Sequence, residues 1–390
     1  MSIGDPSKRL EAMPPYMFAE LERRIADKKA AGVDVISLGI GDPDSPTFPH
    51  VVEAMQDAVT ENGNQKYPSN RGRQEFREAV ARFYQTRFGV EVDPEDGVMP
   101  AIGAKEAIYN LSFAFLDPGD IALASDPGYP VYTGGPILAG AKPVMVPLLP
   151  EAAYALDLDS VDEETARKAR VLFFNYPNNP TGAVAPPGMF ERVVEFAREY
   201  DILAIHDNAY SETTFDGYVA PSFLATEGAM DVGLEVFSLS KGYNMTGWRV
   251  GAVLGNRDAL QSYWRLKTNV DSGLFDAIQL AAVAALDGSR EAISEMNEVY
   301  ARRRDLVIDT LRKIGVEVDR PQGTIYVWAP VPDGHTSTSF TELVLEEAGV
   351  IISPGSMYGE SGEGFFRISL TTPDERLAEA LSRMREHLAD

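Results

Sequence analysis

One run of the chain, "VFSLSKGYNMTGWRVG" (Val236 to Gly251), places Lys241 after two serines, Ser238 and Ser240, and eight residues ahead of Arg249. Hydroxyls and a guanidinium fork are donors for a phosphate-like dianion, and an amine beside them is a nucleophile for an electrophilic carbon. Two more polar clusters follow apolar runs: Asn175 and "PNNPTG" after "VLFF", and Asp207 and "NAY" after "ILAIH". Taken singly, each has a plain structural reading. "NNPTG" is good turn chemistry, Asp207 is a helix-capping type, and Lys241 could be a solvated loop residue. Their joint occurrence favours a site, because ligands of an open α/β sheet gather beyond the carboxyl ends of its strands.

The elements that must position these residues are legible as alternating patterns. Between about Asp120 and Gly255 the runs "IALAS", "VLFFN", "ILAIH" and "VGAVLG" are apolar on consecutive residues, as expected of parallel strands covered on both faces. Helical patterns such as "GMFERVVEFAREY" lie between them, which predicts a doubly wound α/β sheet. "KEAIYNLSFAFL", Lys105 to Leu116, reads as a helix opening just after Gly103, with its N-terminus facing the sheet edge. From Arg257 to Ile314 the chain is nearly all helix-forming, with a break at "DGSR". "TIYVWAPV", "GVIISPG" and "GFFRISL" then predict a smaller α+β unit. The segment up to Pro46, with the turn-rich "GIGDPDSP", is expected to pack on that unit. The expected division is a large domain over 47–285 and a small one built from 1–46 and 286–390.

Composition narrows the partners. The 390 residues carry 35 lysines and arginines against 59 acidic residues, a formal charge of −24 that repels nucleic acid and anionic membranes. A small-molecule partner is expected, although such acidity also serves plain solubility. With no cysteine there is neither a disulfide framework nor a thiol nucleophile, and the four scattered histidines give no metal-ligand spacing. No apolar run reaches the roughly 20 residues of a membrane span, and the N-terminus lacks a secretory pattern, so a soluble cytoplasmic protein is expected.

Ser238, Ser240, Arg249 and the backbone N–H groups opening the Lys105 helix would together hold a phosphate. The glycines match neither a Walker loop nor a GxGxxG turn. A lysine beside a phosphate cup, with an aspartate at a neighbouring strand end, suits a phosphorylated cofactor that carries an aldehyde and a ring nitrogen. That cofactor is pyridoxal phosphate, with Lys241 as its Schiff-base partner.

"NNPTG", "DNAY" and "SLSKGYNMTGWRVG", in this order and spacing, resemble the class I/II aminotransferases, pyridoxal-phosphate enzymes of fold type I, over essentially the whole chain. Within that group, "PPYMFAELERRIADKKAAGVDVISLGIGDPDSPT", "GAKEAIYNL", "DPGYPVY" and "LKTNVDSG" are similar to LL-diaminopimelate aminotransferases and their close relatives. The resemblance implies a mostly parallel seven-stranded-type sheet and a homodimer with shared active sites. It implies that Lys241 bonds the cofactor, Asp207 pairs with the pyridine nitrogen, Asn179 and Tyr210 hold the ring hydroxyl oxygen, and Tyr129 stacks on the ring. Ser238, Ser240, Arg249 and the amides of Ala104 and Lys105 become the phosphate cup. Tyr67 of "KYPSNRG" resembles a tyrosine that reaches the phosphate of the neighbouring subunit. Arg367 of "FFRIS" resembles the arginine that binds the substrate α-carboxylate, aided by Asn179 and the backbone near Gly41; the two preceding phenylalanines speak against a solvent-facing strand arginine. Tyr16 and Lys105 are the implied side-chain contacts of the substrate.

Two departures stand out. Ala104 occupies a position where many relatives have serine, and Tyr132 stands three residues after the stacking aromatic, where aspartate aminotransferases have a histidine. The expected reaction moves an amino group from LL-diaminopimelate to 2-oxoglutarate. The alternatives are an aspartate, alanine or broad-specificity aminotransferase, a β-lyase on the same cofactor, and a non-enzymatic cofactor-sensing regulator. The last is disfavoured by the acidic charge and the absence of a basic module ahead of the domain.

Overall fold

The computed structural model describes residues 4–14 and 17–388, including the side chains of all of these except 17–22 and 29. The strands in chain order are β1 (Ile36–Ser37), β2 (Val98–Ala101), β3 (Ile121–Asp126), β4 (Lys142–Pro147), β5 (Ala169–Phe174), β6 (Leu203–Asn208), β7 (Gly233–Ser238) and β8 (Gly251–Gly255). After a long helical stretch come β9 (Tyr326–Pro330), β10 (Val350–Ile351), β11 (Ser353–Pro354) and β12 (Phe365–Ser369).

Seven strands form one sheet in the order β2-β8-β7-β6-β5-β3-β4. The inner strands are apolar on successive residues because helices cover both faces. Leu172, Phe174, Phe237 and Leu254 join one core, and Val171, Phe173, Val236 and Val253 join another. Helix Met189–Tyr200 shows how the pattern is met. It buries Met189, Phe190, Val193, Val194, Phe196 and Ala197, and is bounded by left-handed Gly188 and Asp201. Each of its large buried side chains stabilises the fold by about 1.5–3 kcal/mol relative to exposure. β2, whose run "VMPA" includes Pro100, lies at the sheet edge, where a missing N–H costs little.

One strand departs from the expected direction. β8, "GAVLG", is antiparallel to both of its neighbours, β7 and β2. The segment from Leu239 to Val250 contains turns and no helix, so nothing carries the chain back for a parallel crossover. The helical stretch also has a second break. Helices Arg257–Val270 and Asp276–Asp287 are separated by a turn in which Gly273 has φ +94° and donates its N–H to Asp271 Oδ1 at 2.7 Å.

The C-terminal unit has its own core, including Leu38, Val307, Leu311, Val327, Val344, Phe366, Ile368 and Leu377. Its antiparallel sheet runs β11-β12-β9, and β1 pairs in parallel with β10, with Ile36 opposite Val350. Through β1, residues 36–37 pair with this unit. Among the described residues no helix is long and apolar enough to cross a membrane.

Candidate active site

The reversed strand explains the eight-residue gap between Lys241 and Arg249. Ser238 ends β7 and lies opposite Gly251, the first residue of β8, so the chain re-enters the sheet at the same edge that it left. Arg249, just ahead of that return, adopts φ +55° and donates from Nη1 to Thr246 O at 2.8 Å. Its guanidinium lies against the N-cap of helix Ala104–Phe115. A Cβ on Gly103 would sit 2.3 Å from Arg249 Nη2 and would shift that guanidinium, and the φ of +80° strains any residue but glycine. Nearby, Ser240 N donates to Ser238 Oγ at 3.2 Å. Two serines, an arginine and a helix N-terminus thus converge as a receptor for a dianion.

A cavity of about 340 Å³ opens at this edge. It is lined by Lys241, Asp207, Tyr210, Asn179, Tyr129, Ala104, Lys105, Ser238, Ser240, Arg249, Arg367 and Gly41. Tyr67, implied by the resemblance, is not in that lining. Tyr67 is 89% exposed on the surface, and Tyr16 lies outside the described residues.

Asp207 lines the cavity. Tyr132 donates to its Oδ2 at 2.8 Å, and Asn175 Nδ2 donates to its backbone carbonyl at 2.6 Å while Asn175 Oδ1 accepts from Asn179 N at 2.7 Å. Asp207 Oδ1 is buried without a partner. Burial pushes this carboxyl up to about 6, and the Tyr132 hydrogen bond and the neighbouring His206 offset part of the rise. A buried carboxylate oxygen facing a cavity requires a donor, and a protonated ring nitrogen is one. The residues present therefore fit pyridoxal phosphate, because one cavity carries both a dianion cup and an acceptor for a ring N–H. Tyr132 thus supplies a donor to Asp207, and its ring stacks on Phe173 with centroids 6.1 Å apart.

A second buried cluster lies behind this end of the sheet. His206 Nδ1 and Glu235 Oε2 are 2.9 Å apart with both side chains fully buried. Glu235 also accepts from Tyr84, Asn208, Ser222 and Phe223 N. Burial alone would raise the Glu235 carboxyl, but His206 and these donors hold it below its ordinary value.

Lys241 Nζ donates to Gly41 O at 2.5 Å. Burial lowers the affinity of this amine for its proton, and Tyr326 and Asp42 partly oppose that fall. Arg367, 1% exposed, donates from Nη1 to Asn179 Oδ1 at 2.8 Å and from Nη2 to Gly39 O at 2.7 Å. Its guanidinium lies 3.9 Å from the centre of the Tyr326 ring. The lining also includes Tyr326, Asp42 and Thr246, which sequence reasoning did not single out. A tyrosine inside the apolar run "TIYVWAPV" was the available clue to Tyr326.

The arrangement can bind a phosphate, hold a protonated ring nitrogen, present an amine to an aldehyde and present a guanidinium to a carboxylate. An α/β sheet with this constellation at its carboxyl edge defines a fold type I pyridoxal-phosphate enzyme. Comparison with known proteins narrows the class further. The family model described as aminotransferase class I and II matches residues 33–384. An LL-diaminopimelate aminotransferase of Desulforudis audaxviator is 55% identical over 97% of this chain and 97% of its own length. One from Moorella thermoacetica is 50% identical over 98% of both chains. Among solved structures, substrate-bound BacF from Bacillus subtilis superposes with a TM-score of 0.95 at 36% identity, covering 99% of this chain and 98% of that one. The chain belongs to the class I and II aminotransferases, pyridoxal-phosphate enzymes that move an amino group between an amino acid and a 2-oxo acid.

Proposed function

We propose that the amino donor is LL-diaminopimelate and the acceptor 2-oxoglutarate. The observation that carries the transaminase chemistry is the convergence of Lys241, Asp207 and Arg367 on one cavity. The substrate reading is supported by relatives of that name, 47–55% identical over nearly the whole chain.

In this reading Ser238, Ser240, Arg249 and the amides of Ala104 and Lys105 hold the cofactor phosphate. Asp207 accepts from the ring nitrogen, Asn179 and Tyr210 hold the ring hydroxyl oxygen, and Tyr129 lies against the ring face. When bound, pyridoxal phosphate supplies an electron sink for the Cα–H bonding electrons. Arg367 holds the substrate α-carboxylate, and Asn179 and the backbone near Gly41 fix its orientation. Once its amine is free, Lys241 takes the Cα proton and returns it at the far side of the transfer. Burial favours the neutral amine that this task needs. Lys105 and Tyr16 contact the distal end of the substrate.

Tyr67, exposed on one copy, reaches the phosphate of a second copy in a homodimer. The large domain spans 47–285 and the small one combines 1–46 with 286–390. A cytoplasmic location fits the cysteine-free chain.

The test is a panel of amino donors mixed with the cofactor-loaded protein, followed by absorbance. LL-diaminopimelate should convert the cofactor to its amine form, and 2-oxoglutarate should convert it back. Conversion by aspartate or alanine with none by diaminopimelate would overturn the substrate reading. Pyruvate and ammonia released without an acceptor would indicate a β-lyase instead.

A further inference from the structure

Tyr326 opens β9 in the C-terminal sheet, yet its side chain lines the cavity at the edge of the large sheet. It lies opposite Ser369, and Trp328 lies opposite Arg367, so Tyr326 and Arg367 are diagonal neighbours on paired strands. At that spacing an aromatic ring reaches a long side chain, and the guanidinium stacks over the ring at 3.9 Å. The hydroxyl accepts from Tyr210 Oη at 3.4 Å, with the two rings edge to face at 5.9 Å. On its other side the hydroxyl is pressed against Gly41: a Cβ there would sit 2.1 Å from Tyr326 Oη. Gly41 is the residue whose carbonyl receives the Lys241 amine.

A single side chain thus touches the arginine, a tyrosine of the ring site and the backbone that receives the lysine. It comes from an element distant in sequence from all three. The charged and titratable groups around it are Arg367 on β12, Lys241 after β7, Tyr210 after β6, Asp42 in the N-terminal segment and Tyr300 on helix Glu291–Lys313. Burial would make the phenol a weaker acid, but the Arg367 and Lys241 cations outweigh it and lower its value.

We propose that Tyr326 is a positioning residue for transamination. Its ring is the shelf that fixes the plane of the Arg367 guanidinium for a carboxylate. Its hydroxyl is the strut that holds the Gly41 carbonyl in place for the Lys241 amine. The first half rests on the reading of Arg367 as the α-carboxylate site.

Three variants of the cofactor-loaded enzyme separate the parts: Tyr326→Leu, Tyr326→Phe and Arg367→Lys. Initial rates give KM and kcat for the amino acid and the 2-oxo acid, and the absorbance of the bound cofactor is titrated against pH without substrate. Tyr326→Leu should raise both KM values about thirtyfold, the scale of a desolvated cation–π contact. Tyr326→Phe, which keeps the shelf, should restore both KM values to about wild type. It should lower kcat several-fold and move the pH at which the cofactor absorbance titrates. If Arg367→Lys raises KM while Tyr326→Leu leaves it unchanged, the shelf is refuted and the carboxylate reading stands. If neither raises KM, the carboxylate reading itself falls. A Tyr326→Phe enzyme with wild-type kcat and an unmoved absorbance titration refutes the strut.

Discussion

In the proposed function Asp207 meets a bound cation, and the protein without its cofactor should be destabilised by it. Its Oδ2 has Tyr132, but its Oδ1 is buried and unpartnered. Burial pushes the carboxyl from an ordinary 3.8 up to about 6. The folded state therefore binds this proton more tightly than the unfolded chain does. Its contribution to stability is present below about pH 4 and is lost as the pH rises through about 6. Above both values the ionised group costs roughly 3 kcal/mol. Asp207→Asn removes the charge while keeping an oxygen that can accept from Tyr132. The cofactor-free variant should therefore be more stable than cofactor-free wild type by roughly 3 kcal/mol at pH 8, with the advantage fading towards pH 4. Urea unfolding followed by tryptophan fluorescence at pH 4, 6 and 8 measures this difference, and titrations common to both proteins cancel. Adding pyridoxal phosphate should reverse the order, because only the carboxylate gains an ion-paired ring nitrogen. If the cofactor-free variant is no more stable at pH 8, or if the difference does not change with pH, the argument from burial is wrong.

Other perturbations probe the remaining parts. Gly103→Ala brings a Cβ to 2.3 Å from Arg249 Nη2 at a positive φ, so the guanidinium must move from its place in the cup. Its dissociation constant for pyridoxal phosphate, measured by equilibrium dialysis, should rise at least about tenfold, the effect of losing one charge-assisted contact. Glu235→Ala leaves His206, Tyr84, Asn208 and Ser222 without their shared acceptor in a fully buried pocket. The loss in unfolding free energy should be about 3–5 kcal/mol, and a loss below about 1 kcal/mol would show that the cluster relaxes freely. Tyr132→Phe removes the donor to Asp207 Oδ2 and should raise that carboxyl further above about 6. In the cofactor-free protein, the pH range over which stability is lost should then move upward, as read from unfolding midpoints against pH.

Much of the cofactor end of this site was legible because its residues follow consecutive apolar runs, and the ends of parallel strands meet at one edge. Asn175, Asp207 and Ser238 could all be placed that way, while Arg249 precedes its strand and was placed by its spacing from Lys241. The direction of "GAVLG" was not legible from its apolar run, since a buried strand reads alike in either direction; the helix-free connection before it was the relevant feature. β2 and β4 carry too weak a pattern, "VMPA" and "KPVMVP", to stand out from loops. Tyr326 was hidden for a different reason: it reaches the cavity from another sheet through diagonal pairing with Arg367, and sequence separation conceals such contacts. Glu235 and His206 each interrupt an apolar run, "GLEVFS" and "ILAIH". Their adjacency became apparent only once β6 and β7 were paired in register, with His206 opposite Glu235.

In the proposed function Lys241 bonds the cofactor and then moves the substrate proton. Borohydride reduction of the protein loaded with pyridoxal phosphate, followed by peptide mass spectrometry, tests it most directly. The reduced cofactor should be found on the peptide containing Lys241, and Lys241→Ala should take up no label there and show no transamination. A label on another lysine such as Lys105, or a Lys241→Ala enzyme that turns over at near the wild-type rate, would rule out these roles for Lys241.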